Sequence, residues 1–291
     1  AAKLASGTVQ NQSAFKNIII NGDMSQAQRG TSFTSVSDTA YHLDRFQLYM
    51  QNESSVYTVT QESDAPSGLA KSLKLDVTTA DTSVASNEEV KLVHKIEGQN
   101  LQNIAKGTAD AKQITLSFYV KTNKTGLYAV KLFDADNSRD CSGSYTVADT
   151  NWNRYTITFP VDTTGTFDND NARSLEIQWW LVAGSAVQGG SLNTAWRSNA
   201  DSGSATGQIN FADSTSNDWQ LTGCQLEVGT SASDFEFLPY GVNEMRCLRY
   251  YQILDVGSNC PLYTTGDGNN NRHLRLTWGV RKRAAPTVTS S

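Results

Sequence analysis

The chain has 291 residues, of which 18% are charged, and its formal net charge is −5 at pH 7. This acidic balance argues against a nucleic-acid-binding protein, because such proteins carry clustered Lys and Arg side chains. No apolar stretch approaches the roughly 20 residues that span a bilayer, so membrane insertion is not expected. The length fits one large domain, or one domain with appendages.

The first elements along the chain predict an arm followed by an edge of a sheet. Residues 1–16 have no apolar periodicity, which is typical of an extended arm or linker. Asn17 to Gly30 begins with a short apolar strand that breaks at Gly22-Asp23, and Asp218 to Gly229 is a strand that ends in a turn. We expect these two strands to lie side by side and to close a single β-domain.

Apolar residues alternate with polar ones through most of the chain between these two segments. Period-two alternation with Gly, Asn, Asp and Ser turns between the runs is typical of strands that bury one face. The sequence therefore predicts an all-β fold, a jelly-roll-like β-sandwich over residues 17–240. The predicted strands are 46–50, 56–60, 73–77, 90–96, 114–120, 128–133, 155–159, 175–182 and 208–212.

The strand from Asp218 contains a change of register. Trp219 and Leu221 share one face, whereas Cys224 has the opposite parity. One extra residue would return the apolar side chains to the core, so a β-bulge is predicted at Thr222-Gly223.

Residues 241–291 predict a short helix and an incomplete β segment. Helical spacing runs through 241–254, and two strands, 261–264 and 273–280, flank the polar loop 266–271. Two strands are too few for a stable unit. We therefore expect this region to be a subunit interface, or a second domain that is truncated.

The four cysteines, Cys141, Cys224, Cys247 and Cys260, are scattered and show no CxxC spacing. This pattern favours buried free thiols in a protein folded in a reducing cytoplasm over a disulfide framework.

Ten segments, taken together and in order, resemble a family of bacteriophage virion proteins, common in marine phages, that has a carbohydrate-binding-module-like jelly roll. The resemblance covers most of the chain. It is carried by 17–30, 41–46 (YHLDRF), 96–98, 114–121, 152–159, 183–185, 225–229, 235–241, 247–251 (CLRYY) and 283–288 (RAAPTV). Members occur in tail fibres and in decorating parts of the particle, so the resemblance implies a structural or adhesive virion protein made in the host cytoplasm. It also implies that this chain is a truncated or short member.

The resemblance further implies a calcium site. Modules of this kind often hold a structural calcium between an acidic residue after the first strand and an Asp that opens the last strand, and Asp23 and Asp218 occupy these places. Ser25 stands where such modules usually have Glu. This departure favours the alternative, in which Asp23 caps its turn and Asp218 pairs with a nearby donor. No other cofactor is expected.

Two further groups of residues are candidates for structural or binding roles. Arg29 and Asp44 lie among apolar residues, and we expect an ion pair that fixes the loop after the first strand.

Tyr119, Phe133 and Trp180 lie opposite the core side of their strands, where aromatic faces could stack on a host surface glycan. Trp196, in a loop rich in Gly and Ser, is a fourth glycan candidate. The alternative is that a loop or a neighbouring subunit covers these aromatics.

The sequence has no GxSxG, HExxH or P-loop motif, so no enzymatic activity is predicted. We expect a component of a tail fibre or receptor-binding appendage, assembled as a homotrimer with other virion proteins. One alternative is a decoration or cement protein of the capsid. Another is the glycan-binding module of a secreted glycoside hydrolase.

Overall fold

The structure is a computed structural model that describes residues 15–254, 264–266, 272–274 and 278–289. In chain order its strands are β1 (Ser32–Val36), β2 (Ala40–Tyr41), β3 (Phe46–Gln51), β4 (Val56–Glu62), β5 (Ser72–Thr79), β6 (Glu89–Glu97), β7 (Ile114–Thr122), β8 (Gly126–Asp134), β9 (Arg139–Val147), β10 (Asn153–Phe159), β11 (Arg173–Ala183), β12 (Arg197–Ser198), β13 (Asp218–Val228), β14 (Thr264–Gly266) and β15 (Arg272–Leu274). The helices are α1 (Ser185–Gln188) and α2 (Tyr240–Leu248).

Two antiparallel sheets form the predicted β-sandwich. The first has six strands in the order β1-β4-β5-β13-β7-β10, and the second has seven in the order β12-β9-β8-β11-β6-β3-β2. The all-β, jelly-roll-like prediction is confirmed. Eight of the nine predicted strands form, but 208–212 does not, because Asn210 caps a 3-10 turn at Phe211–Asp213 through its side chain.

The core lies between the facing sheets, as alternation requires. Trp179 of the second sheet packs edge-on against Phe118 of the first, with ring centroids 5.9 Å apart. The indole of Trp219 donates a hydrogen bond to Tyr145 Oη across the same space, at 3.3 Å. Burial of these rings, together with the many aliphatic side chains of the same cluster, stabilises the contact between the two sheets.

The segment before β1 lies beside β13, but it is not a regular strand. Ile18 N donates to Leu226 O, and Cys224 N donates to Gly22 O, each at 2.9 Å. Residues 17–22 and β13 therefore lie side by side, as predicted. They form only some of the backbone hydrogen bonds of a regular pair of antiparallel strands. The register of β13 against β7 shifts between Thr222 and Gln225, which confirms the predicted bulge.

Residues 184–208, here called the covering loop, pack on the outer face of the seven-stranded sheet. Lys131 Nζ on β8 donates to Asn199 Oδ1 and to Ser204 Oγ of this loop, both at 2.9 Å. Arg197 of the loop bonds Asp140 on β9, with Nε to Oδ1 at 2.9 Å. These contacts hold the covering loop on the part of the face formed by β8 and β9.

Helix α2 is shorter than the predicted 241–254, and the chain after it returns to the sandwich. The strands β14 and β15 pair antiparallel, close to the predicted 261–264 and 273–280. Residues 278–280 are not in a strand, while 261–263 and 275–277 lie outside the described residues, as do 1–14 of the predicted arm. Among the described residues no helix has the length and apolar character that crossing a bilayer requires.

Candidate functional site

A cleft of about 260 Å³ opens where the end of β6 and the start of β11 meet the chain after α2. Its walls combine basic and aromatic side chains with one carboxylate. The lining residues are Tyr41, Arg45, Lys95, Ile96, Glu97, Asn171, Arg173, Tyr250 and Arg283. We call this the basic cleft.

Arg45 lines the basic cleft and adopts an unusual backbone conformation. Its φ is +73°, in the left-handed region that is costly for a residue with a side chain. The residue is buried, its Nη2 donates to Lys95 O, and its guanidinium carbon lies 3.5 Å from the centroid of the Tyr250 ring. Its Nε is buried, and no hydrogen-bond partner for it lies among the described residues. An N–H in this state is costly unless an acceptor reaches it.

Glu97, the single carboxylate that the described residues contribute to the cleft wall, is already neutralised. Glu97 accepts two hydrogen bonds from Arg249, at 3.0 Å to Nε and 2.9 Å to Nη2. Such a bidentate pair is the strongest form of the Arg–carboxylate contact. Burial raises the pKa of Tyr250 to about 12, so its phenol is uncharged at neutral pH. Glu97 and Tyr250 therefore add no free negative charge.

The remaining cations are only partly compensated. Arg173 Nη1 lies 2.8 Å from Glu176 Oε1, and Lys95 Nζ lies 4.0 Å from the same oxygen, so two cations share one carboxylate. Arg283 donates through Nη1 to the Asn171 backbone at 3.3 Å. Among the described residues, neither Arg283 nor Arg45 has a carboxylate within ion-pair distance. The cleft is thus locally positive on a chain that is acidic overall.

Trp180 does not serve as an exposed platform. It is 1% exposed and packs with Ala129, Val187 and Ala205, because α1 and the covering loop lie over it. Lys91 Nζ covers the ring from another side, 4.3 Å from its centroid. The expectation that Trp180 stacks on a sugar is therefore wrong for this structure, and the alternative of a covering loop applies.

The side chain of Trp196 also packs against the protein interior. Its Nε1 donates to Pro160 O at 3.0 Å, and Lys106 Nζ lies 5.2 Å from its ring. The ring packs against the main core. The predicted loop-tip site at Trp196 is therefore not formed, because the indole anchors the covering loop.

Tyr119 and Phe133 are half-buried on opposite sides of the sandwich. Tyr119 is on β7 of the six-stranded sheet, opposite Arg154, and Phe133 is on β8 of the other sheet, opposite Glu176. Packed sheets are about 10 Å apart, so these outward-facing rings cannot meet one ligand. The four predicted glycan residues do not form a common site.

Asp23 and Asp218 are not brought together either. Asp23 follows Gly22, which pairs with Cys224, six residues along β13 from Asp218. At roughly 3.3 Å per residue, this is on the order of 20 Å, too far for one calcium ion. Asp23 Oδ1 instead accepts from Ser25 and Asn243, and Asp218 lies 3.6 Å from Lys74 Nζ. The prediction of a shared calcium site is therefore wrong. The alternative is observed, in which Asp23 caps its own turn and Asp218 pairs with Lys74.

Three other carboxylates could attract a cation. Oxygens of Glu53, Asp81 and Glu88 all lie within 4.8 Å of one another. Burial, followed by the charges of Glu88 and Asp81, raises the pKa of Glu53. Oxygen donors suit calcium, but six to eight are needed. Asp81 and Glu88 already accept from the backbone N–H groups of Ser83 and Ala85.

Arg29 and Asp44 lie next to each other. Arg29 Nη1 is 3.7 Å from Asp44 Oδ1, and the guanidinium carbon is 3.7 Å from the Tyr251 ring centroid. Asp44 also accepts from the backbone and side chain of Gln28, at 2.7 and 2.8 Å. Burial lowers the pKa of Arg29 from its ordinary value. These contacts fix the loop after the first segment to the start of β3.

The residues that line the basic cleft were not singled out from the sequence as a site, but six of the nine lie in segments that carry the resemblance. Tyr41 and Arg45 belong to YHLDRF, and Glu97 follows Ile96 in the 96–98 segment. Tyr250 is in CLRYY, and Arg283 opens RAAPTV. Four segments far apart in the chain thus converge on one cleft. This convergence is the signal that could have located it.

No family model and no curated protein matches this chain. Several solved structures are similar at low identity. The enzymatically active domain of tailspike protein 4 of bacteriophage CBA120 is 12% identical, with a TM-score of 0.35, over 75% of this chain. The match spans 22% of that tailspike chain.

Two carbohydrate-binding modules match over most of their own length. The family 11 module from Clostridium thermocellum, solved with a mixed-linked tetrasaccharide, is 12% identical, with a TM-score of 0.33, over 72% of this chain and 99% of its own. A xylan-binding domain from Paenibacillus barcinonensis is 11% identical, with a TM-score of 0.31, over 69% and 94%. All these TM-scores are below 0.5, so nothing about the ligands or activity of this chain follows from them.

Proposed function

We propose that this chain is a non-enzymatic structural and adhesion protein of a phage virion, and that it holds a host surface glycan in the basic cleft. The observation that supports the proposal is the cleft itself. It joins two tyrosines to convergent basic groups beside the end of β6, and six of its nine lining residues lie in segments that resemble phage virion proteins. A few oriented polar groups beside aromatic faces are typical of ligand sites.

The proposed place in the particle is a tail fibre or receptor-binding appendage, with the chain assembled as a homotrimer. Large apolar side chains on and beside α2 support an unfilled subunit contact, since exposed apolar groups mark interaction surfaces. Phe237, Tyr240, Met245 and Ile253 are each more than half exposed. Native mass spectrometry of the purified chain should give a trimer, and a stable monomer would contradict this assembly.

The glycan proposal is tested with a glycan array probed by the full chain. We expect binding to at least one bacterial surface glycan, weakened by Arg45→Lys and retained in Arg154→Lys on the outer face of the other sheet. Incubation with the bound glycan should release no shorter product, because the chain is proposed to bind without cleaving. Absence of binding across the array would overturn the adhesion function.

Copy number then separates the two virion roles. Quantitative mass spectrometry of purified particles should find the few copies expected of a tail appendage. Hundreds of copies that scale with the shell would instead identify a capsid decoration protein.

A further inference from the structure

We propose that the glycan held by the basic cleft carries a carboxylate group, so that the ligand is an acidic sugar such as a terminal uronate. This inference rests on the proposed glycan-binding function and specifies its ligand class.

The first step concerns the charge of the cleft. Arg45 and Arg283 line the cleft and have no carboxylate partner among the described residues. Glu97 is already paired with Arg249. A neutral sugar would leave these cations uncompensated, whereas a carboxylate would pair with them.

The second step is the buried donor. Arg45 is 8% exposed, and its Nε has no hydrogen-bond partner within the part of the chain that the structure describes. Its backbone is also held in the left-handed region. Strained backbone and unpaired buried donors both cluster at ligand sites, where a ligand compensates their cost. A carboxylate oxygen is the acceptor that a guanidinium binds most strongly.

The third step concerns the size and surroundings of the cleft. About 260 Å³ is below the range of roughly 300–1,000 Å³ typical of drug-sized ligands, so the cleft suits one end sugar. Tyr41 and Tyr250 supply ring surface for the apolar face of a sugar.

The chain as a whole has a net charge of −5, which disfavours an extended polyanion such as nucleic acid, because binding of nucleic acid needs many phosphate contacts. A single carboxylate in a local positive cleft avoids that repulsion.

The test uses the full chain and a panel of acidic oligosaccharides, each paired with its methyl ester. Galacturonate, glucuronate, mannuronate and sialate oligomers keep their shape on esterification but lose the charge. By isothermal titration calorimetry, we expect at least one acid to bind and its ester to bind at least tenfold more weakly. Inorganic phosphate and acetate at equal concentration should fail to compete, since they lack the sugar ring.

Variants locate the contact. Arg283→Gln should weaken the acid about tenfold, the effect of losing one charge-assisted hydrogen bond. Arg281→Gln makes the same charge change two residues away, outside the cleft, and should leave affinity unchanged. Both side chains are exposed, and equal melting temperatures would show that both variants fold.

The outcomes separate the two proposals. Equal binding of acid and ester, or binding of neutral glycans alone, would overturn the acidic-sugar inference and leave glycan binding standing. Competition by phosphate or acetate would reduce the cleft to a simple anion site and would also overturn the inference. Binding of no glycan at all would overturn both.

Discussion

The guanidinium carbon of Arg45 lies 3.5 Å from the centroid of the Tyr250 ring. This contact joins the turn before β3 to the chain that follows α2, and the Glu97–Arg249 pair lies beside it. The chain after α2 is therefore attached to the sandwich at the wall of the basic cleft, and the two features depend on each other.

Replacing Tyr250 should loosen this attachment. Tyr250→Leu removes a cation–π contact worth about 0.5–2 kcal/mol. We expect a loss of that size in the free energy of unfolding, and faster amide hydrogen exchange at residues 249–254. Tyr119→Leu is the matched control, because Tyr119 is a half-buried tyrosine on the other sheet and the guanidinium carbon of Arg154 lies 6.0 Å from its ring centroid, at the outer limit of such a contact. Equal effects of the two substitutions would show that Arg45 does not hold this segment.

The bulge in β13 depends on Gly223. Its φ is +60°, and an added Cβ would lie 2.8 Å from Tyr119 Cδ2 and 2.9 Å from Leu69 Cδ1. Gly223→Ala should therefore destabilise the protein by about 1–3 kcal/mol, measured by urea denaturation. Gly241→Ala, on α2 with open space around it, should be neutral or slightly stabilising, since Ala favours helix more than Gly does. A neutral Gly223→Ala would show that the strand can straighten.

A buried ion cluster should make Lys106 sensitive to substitution. Its Nζ lies 2.5 Å from Asp134 Oδ2 and 3.1 Å from Asp162 Oδ2, with all three side chains buried. Lys106→Met leaves two carboxylates under-compensated, and we expect a loss of about 3–5 kcal/mol at pH 7. Lys121→Met removes the exposed pair with Asp64 and should cost about 1 kcal/mol or less. A small effect of Lys106→Met would indicate that water reaches the cluster.

Stability should fall as the pH drops below 7, because two histidines are buried in the neutral form. Burial and the nearby Arg29 charge lower the pKa of His42 to about 4, and burial lowers that of His94 well below its ordinary value. Between these values and about 6.5, the unfolded chain binds protons that the folded chain does not. Each histidine should therefore reduce the free energy of unfolding by about 1.4 kcal/mol per pH unit.

The measurement is urea denaturation at pH 7, 6 and 5. His42→Gln keeps a polar side chain but does not titrate, so its stability should depend less steeply on pH than that of the parent chain. An unchanged slope would show that the pKa of His42 is the same in the folded and the unfolded chain.

Much of the fold could be predicted because strand alternation depends on local sequence. Leu116, Phe118 and Val120 are buried at every second position, and the parity change at Gly223 required a bulge. Strand β9 was missed, because its Cys141, Ser142 and Gly143 are small and show little alternation. Both faces of this strand are covered over residues 140–143, so burial there does not depend on a simple apolar pattern.

The candidate site could not be predicted in the same way, because it depends on what covers each face. Trp180 has the parity of an outward-facing residue, but the covering loop packs on it. Arg45 lies between apolar and charged neighbours, and its role depends on Tyr250, more than two hundred positions away. Contacts between residues so far apart in the chain leave no periodic pattern in the sequence. The resemblance of the separate segments was the available guide.

The pairing of residues 17–22 with β13 has a consequence for biosynthesis. Asn17 bonds Cys224 and Leu226, and its backbone N–H donates to Glu236, contacts separated by more than two hundred residues. The sandwich therefore cannot close while the chain is still being translated, until Glu236 has left the ribosome. Such long-range closure slows folding and leaves unpaired strands exposed for longer. Production of this protein should accordingly depend on chaperones that bind emerging chains.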